Sequence, residues 1–188
     1  AKTLEVVHCG NVACTDLHDF VTLDAGDVGA FTSLAIGSDG YLVISYLDHA
    51  GSSLKIAKCK DALCTPSLVK KTIIDSSGDV GYYTSLALGA NGFPLVAYYR
   101  QDTGDLKVAQ CINHDCTNTP SGNIRILDSQ GDVGRYSSMS MPSDGLPVIS
   151  YYDFTNFKLK VLKCGNSACS SGNHIIVPDG DDQVGTYT

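Results

Sequence analysis

The tripeptide Asp-Val-Gly occurs at Asp27, Asp79 and Asp132, at steps of 52 and 53 residues, and whole phrases recur in register with it. Residues 24–47 read DAGDVGAFTSLAIGSDGYLVISYL, residues 76–99 read SSGDVGYYTSLALGANGFPLVAYY, and residues 128–152 read DSQGDVGRYSSMSMPSDGLPVISYY. A second phrase follows at the same steps: LKIAKC (54–59), LKVAQC (106–111) and LKVLKC (159–164), with LEVVHC (4–9) as an earlier copy. A period of this length signals an array in which each unit completes its core only against its neighbours.

Each unit contains four strand-like runs. In the second unit these are 83–89, 93–99, 105–111 and 123–129, here termed strands A to D. Between A and B stand Asp39-Gly40, Asn91-Gly92 and Asp144-Gly145. Such steps between apolar runs are the strongest short hairpin signal, because both central residues of the turn need positive φ. Strand B is apolar on both faces, as in YLVISYL, which suits an inner strand covered on both sides. Nineteen of the twenty acidic residues are Asp and Glu5 is the only Glu, a balance that favours turns over helices.

Four antiparallel strands about every 50 residues, without helices, predict an all-β β-propeller or propeller fragment. A β-sandwich or β-prism is the alternative. On these phrases the chain resembles extracellular β-propeller repeat proteins. On SDG at 38–40 and 143–145 it is similar, more weakly, to the Asp-box repeats of sialidase-like propellers. The aromatic residue that an Asp box places after its Gly is not in position, so the resemblance implies the fold and carries no activity. The expected organisation is a partial blade over 1–26 (strands C and D), blades over 27–78, 79–131 and 132–180, and the start of another over 181–188. Both ends thus fall inside a repeat, as in a fragment of a longer propeller, a ring closed by both termini, or a half-blade completed by a neighbouring chain.

All eight cysteines form four C-x4-C pairs: Cys9/Cys14, Cys59/Cys64, Cys111/Cys116 and Cys164/Cys169. A zinc site needs four ligands in one place, and these pairs lie on different blades. A local disulfide across the C–D connection needs no convergence, so one bond per blade is expected. Each closes a short loop and pins an outer hairpin. Cysteines that all pair imply an oxidising location, secreted or on the cell surface.

In an up-and-down blade the A–B and C–D turns leave at one end, and the B–C and D–A connections at the other. The second end collects most of the acid, and the lysines of strands C and D are expected toward the outer rim. The D–A loops offer Asp24, Asp27, Asp75, Asp79, Asp128, Asp132, Asp179 and Asp182 as ligands for a cation such as Ca²⁺, which takes six to eight oxygens. A structural role for GDVG is the competing expectation: glycines at positive φ, Asp bonding backbone N–H groups, Val plugging the gap between blades. No cofactor is required in that case. Tyr46, Asp48, Tyr98, Tyr151 and Asp153 stand at the ends of B strands and could bind a sugar or protein ligand, although the tyrosines also suit packing between blades.

A net charge of −7 argues against a nucleic-acid partner, and no apolar run of about 18 residues offers a membrane span. No G-x-S-x-G, H-E-x-x-H or phosphate-binding glycine loop occurs. A catalytic group should break the repeat, and the residues that do so (Arg100, Arg135, Glu5, His8, His49, His114, His174) form no evident set. The sequence alone therefore predicts a protein that is not an enzyme: an extracellular scaffold whose partners are copies of itself or further blades. The alternatives are a lectin-like carbohydrate- or protein-binding propeller and a fragment of a larger secreted hydrolase.

Overall fold

A computed structural model describes residues 2–178 and Gly185. Strands β1 (Thr3–Cys9) and β2 (Leu17–Ala25) form a two-stranded antiparallel sheet. Three four-stranded antiparallel sheets follow, each meandering in sequence order. The first blade contains β3 (Val28–Ile36), β4 (Leu42–Asp48), β5 (Ser53–Lys58) and β6 (Lys70–Asp75). The second contains β7 (Val80–Leu88), β8 (Pro94–Arg100), β9 (Asp105–Gln110) and β10 (Ile124–Asp128). The third contains β11 (Val133–Ser140), β12 (Val148–Asp153), β13 (Lys158–Lys163) and β14 (His174–Ile176).

The hydrophobic cores lie between blades rather than within them. One joins Leu4 and Leu23 of the two-stranded sheet to Val28, Ile44 and Tyr46. The next joins Val43, Leu54 and Ile56 of the first blade to Val80, Leu86 and Val96 of the second. A third joins Leu95, Leu106 and Val108 to Val133, Ile149 and Leu162. Position in the array therefore decides burial. Leu86 is 7% exposed, whereas Leu34, the same repeat position one blade earlier, is 63% exposed, because only two strands stand before it.

The Val-Gly of each GDVG phrase belongs to strand A, so β7 begins at Val80 rather than near residue 83. Val80 and Val133 are fully buried in the inter-blade cores. The following glycine lies on the backbone of the preceding blade: a Cβ on Gly134 would come within 2.8 Å of Leu106 Cα, and on Gly81 within 3.1 Å of Leu54 Cα. The backbone N–H of Val133 donates across the same seam to Gly104 O at 2.9 Å. Each inner strand then carries two register shifts, at the glycine and just past it (Val80/Tyr82 and Tyr82/Ser85 in β7). These bulges put a second residue at positive φ: Phe31 (52°), Tyr83 (50°) and Tyr136 (54°).

All four C-x4-C pairs are disulfides, with Cα atoms 4.8–4.9 Å apart. The expectation that each merely pins an outer hairpin is corrected for three of them. Cys59 and Cys64 are fully buried in the core that contains Leu4, Leu23 and Val28. Cys111 and Cys116 pack in the core with Val43 and Leu54, and Cys164 and Cys169 in the core with Leu95 and Leu106. The physical reason is that a paired sulfur has no polar hydrogen to hydrate and serves as a compact apolar group. Cys64, Cys116 and Cys169 all adopt left-handed backbone, with φ of 51°, 53° and 51°, which folds each loop back on itself. These three bonds thus clamp their loops against the preceding blade. Cys9 and Cys14 are exposed.

Candidate functional site

The D-strand carboxylates close the seams between blades. Asp24 accepts from Tyr46 Oη at 2.9 Å and from Lys55 Nζ at 2.9 Å. Asp75 accepts from Tyr98 at 2.6 Å and Lys107 at 2.5 Å. Asp128 accepts from Tyr151 at 2.8 Å and Lys160 at 3.0 Å. In each case the Asp ends one blade, and the Tyr and Lys come from strands B and C of the next. Burial pushes the Asp75 carboxyl up, but hydrogen bonds from Lys107, Ser77 and Tyr98 outweigh it and leave the group at about 2. Burial and the same carboxylate push the Tyr98 hydroxyl well above its ordinary range. Lys55 also bridges to Asp48 at 3.1 Å, and Lys160 to Asp153 at 3.0 Å. In the second blade Arg100 takes that position and pairs with Asp102 at 2.7 Å.

These contacts correct several expectations. Lys55, Lys107 and Lys160 lie in the seams, not at the outer rim, because a carboxylate buried there needs a cation. Tyr46, Tyr98, Tyr151 and Asp153 are fully buried, and Asp48 is held by Lys55, so none of the five opens onto a ligand surface. Asp24, Asp75 and Asp128 each accept from a Tyr hydroxyl and a Lys ammonium. Asp27 faces His49 Nδ1 at 3.3 Å, Asp79 accepts from Tyr82 Oη at 3.2 Å, and Asp132 is bound by Arg135. Asp179 and Asp182 lie outside the described residues. Among those described, no group of three or more His, Cys, Asp or Glu is arranged to hold a metal ion.

A different feature opens to solvent. The left-handed residues of the inner strands meet from blade to blade in tilted contact: Phe31 with Tyr83 (58°) and Tyr83 with Tyr136 (54°), each with ring centroids 4.6 Å apart. The two residues after each aromatic explain the regularity. Thr84 Oγ1 donates to Phe31 O at 2.6 Å and Ser137 Oγ to Tyr83 O at 2.5 Å, while Ser33 and Ser85 accept the N–H groups of Leu86 and Met139. Hydroxyls thus lace adjacent inner strands together and fix the aromatic backbone in its left-handed conformation.

Beside this row, between the second and third blades, lies a cleft of about 420 Å³ lined by Tyr83, Tyr99, Gln101, Thr103, Gly104, Asp132 and Arg135. Tyr99 Oη donates to Asp132 Oδ1 at 2.8 Å, and Arg135 grips the same carboxylate through Nε (3.1 Å) and Nη2 (2.6 Å). The Asp132 backbone N–H donates to Thr155 Oγ1 at 2.7 Å. Burial and the Asp132 bond push the Tyr99 hydroxyl up to about 12. The Arg135 guanidinium lies 4.1 Å from the Phe154 ring centroid and 5.6 Å from that of Tyr99. This is a planar, charged, aromatic-backed surface suited to polyhydroxylated ligands.

Of these residues only Asp132 and Arg135 stand out in the sequence. Tyr99, Gln101 and Thr103 do not, yet the last two carry a signal. Where the second blade has Gln101 and Thr103, the first has His49 and Gly51 and the third Phe154 and Asn156, whereas Tyr99 recurs as Tyr152. Where the third has Arg135, the first two have Ala30 and Tyr82. The exceptions to the repeat meet in one cleft because residues from two blades face each other there, which no linear spacing reveals.

No protein-family model and no curated protein sequence matches the chain. Solved structures do match in fold. A GH43 β-1,3-galactosidase superposes with a TM-score of 0.60 at 8% identity, over 85% of this chain and 38% of its own. An α-L-arabinofuranosidase from Lactobacillus brevis superposes with a TM-score of 0.50 at 11% identity, over 79% of this chain and 53% of its own. The all-β propeller architecture is thereby established, and the chain spans about two fifths to half the length of these neighbours. The expectation of a chain that is not an enzyme is corrected here, since these two solved structures that share its fold are glycosidases. The absence of a linear catalytic motif is no guide here, because any site assembled from several blades leaves none.

Proposed function

We propose that this chain is part of a glycoside-acting propeller, and that the aromatic row and the cleft between the second and third blades seat the sugar. The observation that carries the proposal is the convergence of three exceptions to the repeat, Gln101, Thr103 and Arg135, with Tyr99 beside a row of three inner-strand aromatics in tilted contact. Aromatic faces cover the apolar face of a pyranose or furanose ring, and the Asp132–Arg135 pair and Gln101 offer acceptors and donors for its hydroxyls. The glycosidase neighbours support the same class of ligand, with galactosides and arabinofuranosides as the first substrates to try. Glycoside hydrolysis uses two carboxyl groups. Among the described residues lining the cleft, Asp132 supplies one, so the second comes from another blade of the same propeller. The four disulfides support an oxidising location, secreted or at a cell surface.

The test is calorimetric titration with β-1,3-galactobiose and arabinobiose, alongside release of 4-nitrophenol from the β-galactoside and the α-L-arabinofuranoside. Saturable binding that Arg135→Ala weakens at least tenfold supports the proposal. Absence of both binding and turnover across a broad glycan array overturns it. Binding without turnover favours the lectin-like form, for which the locking of Asp132 by Arg135 and Tyr99 is the specific structural support.

A further inference from the structure

The B–C connection of the third blade carries Phe154 and Phe157, 43% and 46% exposed, with ring centroids 5.8 Å apart. Neither repeats. The first two blades have His49 and Gln101 at the position of Phe154, and Ser52 and Gly104 at that of Phe157. The backbone at the latter position is left-handed in all three blades, with φ of 45° at Ser52, 75° at Gly104 and 55° at Phe157. Glycine adopts this conformation freely and a bulky side chain does so at a cost. The third blade thus holds a large apolar ring in strained backbone and leaves it in water, an arrangement found where function requires it.

The pair is continuous with the cleft. Phe154 lies edge-on to Tyr152 at 6.2 Å, Tyr152 lies 6.3 Å from Tyr136, and the Phe154 ring backs the Arg135 guanidinium. Ring contacts therefore link Phe31 through Tyr83, Tyr136, the buried Tyr152 and Phe154 to Phe157. Successive centroids are 4.6–6.3 Å apart, comparable to the length of one sugar residue.

We propose that Phe154 and Phe157 form an outer subsite, and that the ligand is a chain of several sugar residues rather than a monosaccharide or a single terminal sugar. The proposal rests on the carbohydrate reading of the cleft. The first residue occupies the cleft beside Tyr83 and Arg135, and later residues lie across Phe154 and then Phe157. The rings of that pair are tilted by 54°, so each takes a different residue of a twisted chain.

The experiment measures affinity for β-1,3-galacto-oligosaccharides and for arabino-oligosaccharides of one to five residues by calorimetry, with the whole chain. Affinity should climb at least tenfold from one residue to four. Phe157→Gly should bring the tetrasaccharide down to the level of the disaccharide, and Phe157→Tyr should restore the climb. Phe157→Gly should unfold at the same temperature as the parent or higher, since it installs the residue that the second blade already has there. Equal affinity for all lengths, or a climb beyond the disaccharide that survives Phe157→Gly, overturns the outer subsite while leaving the cleft intact. Absence of binding at every length overturns the cleft reading and the outer subsite with it.

Discussion

The Tyr98 hydroxyl donates to Asp75 Oδ2 across 2.6 Å, joining strand B of one blade to the last residue of the blade before it. Lys107 closes on the same oxygen, and both members of that ion pair are about 95% buried or more. A polar group in this seam has no water to fall back on. Asp75→Ala leaves Lys107 charged and buried with only the Ser77 hydroxyl, at 3.1 Å, beside it and should cost about 3–5 kcal/mol. Tyr98→Phe removes one bond to a carboxylate still held by Lys107 and Ser77 and should cost about 1–3 kcal/mol. Urea unfolding monitored by tyrosine fluorescence ranks the two.

The same seam sets the response to acid. Asp75 titrates at about 2 in the folded protein, below the ordinary carboxylate value of 3.8. A carboxyl lowered by folding contributes stability that is complete above its unfolded value and is lost as pH falls through the folded one. Its share is roughly 2 kcal/mol, lost between about pH 4 and pH 2. Asp24 and Asp153 are lowered too, so they add with the same sign. Asp75→Asn should flatten the stability profile in that window, read from unfolding curves at pH 6, 4, 3 and 2.

Gly134 is locked where Gly122 is free. A Cβ at Gly134 meets Leu106 Cα at 2.8 Å with φ at 105°, whereas one at Gly122 meets nothing within 4 Å. Gly134→Ala should lose about 2–4 kcal/mol through left-handed strain and overpacking together, and Gly122→Ala should change stability by less than about 0.5 kcal/mol. Paired thermal melts check both.

The disulfides should open in order. Cys9 and Cys14 are exposed, whereas Cys59 and Cys64 are fully buried and Cys111, Cys116, Cys164 and Cys169 are each 1% exposed. Thiol exchange needs access to sulfur. Limited dithiothreitol followed by alkylation and peptide mass mapping should label Cys9 and Cys14 before any other pair.

Arg135→Lys should be nearly as damaging to sugar binding as Arg135→Ala. An ammonium cannot grip Asp132 through two nitrogens while lying flat on Phe154. Titration with the best disaccharide should show at least a tenfold loss for both variants, with unchanged melting temperatures ruling out a loss of fold.

The blades can be read from the chain because the devices that build them are local. Gly40, Gly92 and Gly145 hold positive φ in the A–B turns, but Asp39, Asn91 and Asp144 before them do not. The hairpins are therefore where the Asp-Gly and Asn-Gly steps place them but close through a longer turn, Gly37 N–H to Tyr41 O and Gly89 N–H to Phe93 O. Each C-x4-C pair closes within its own loop. That Cys64 then turns inward, against Leu23 and Val28 of its core, depends on a neighbouring sheet and leaves no mark in the spacing. The site is illegible for the same reason. Tyr99 and Asp132 are 33 residues apart in sequence and meet only once two blades are docked. Of the two roles that the tyrosines suit, packing between blades is the one observed, because period-two alternation turns Tyr46, Tyr98 and Tyr151 into the seam. The ladder of Thr84 and Ser137 hydroxyls behind the aromatic row is visible as FTS, YTS and YSS, but its meaning depends on a carbonyl in the neighbouring blade.

The glycine pressed against the leucine backbone of the preceding blade has one more consequence. A position that touches another copy of its own unit cannot drift alone, since any change there is met by an unchanged surface next door. Letters facing solvent or ligand carry no such constraint. The chain therefore holds an alignment of itself: where its three phrases agree, as at Val-Gly, they spell out the seams, and where they part company, as at Ala30, Tyr82 and Arg135, they mark the surface free to acquire a task.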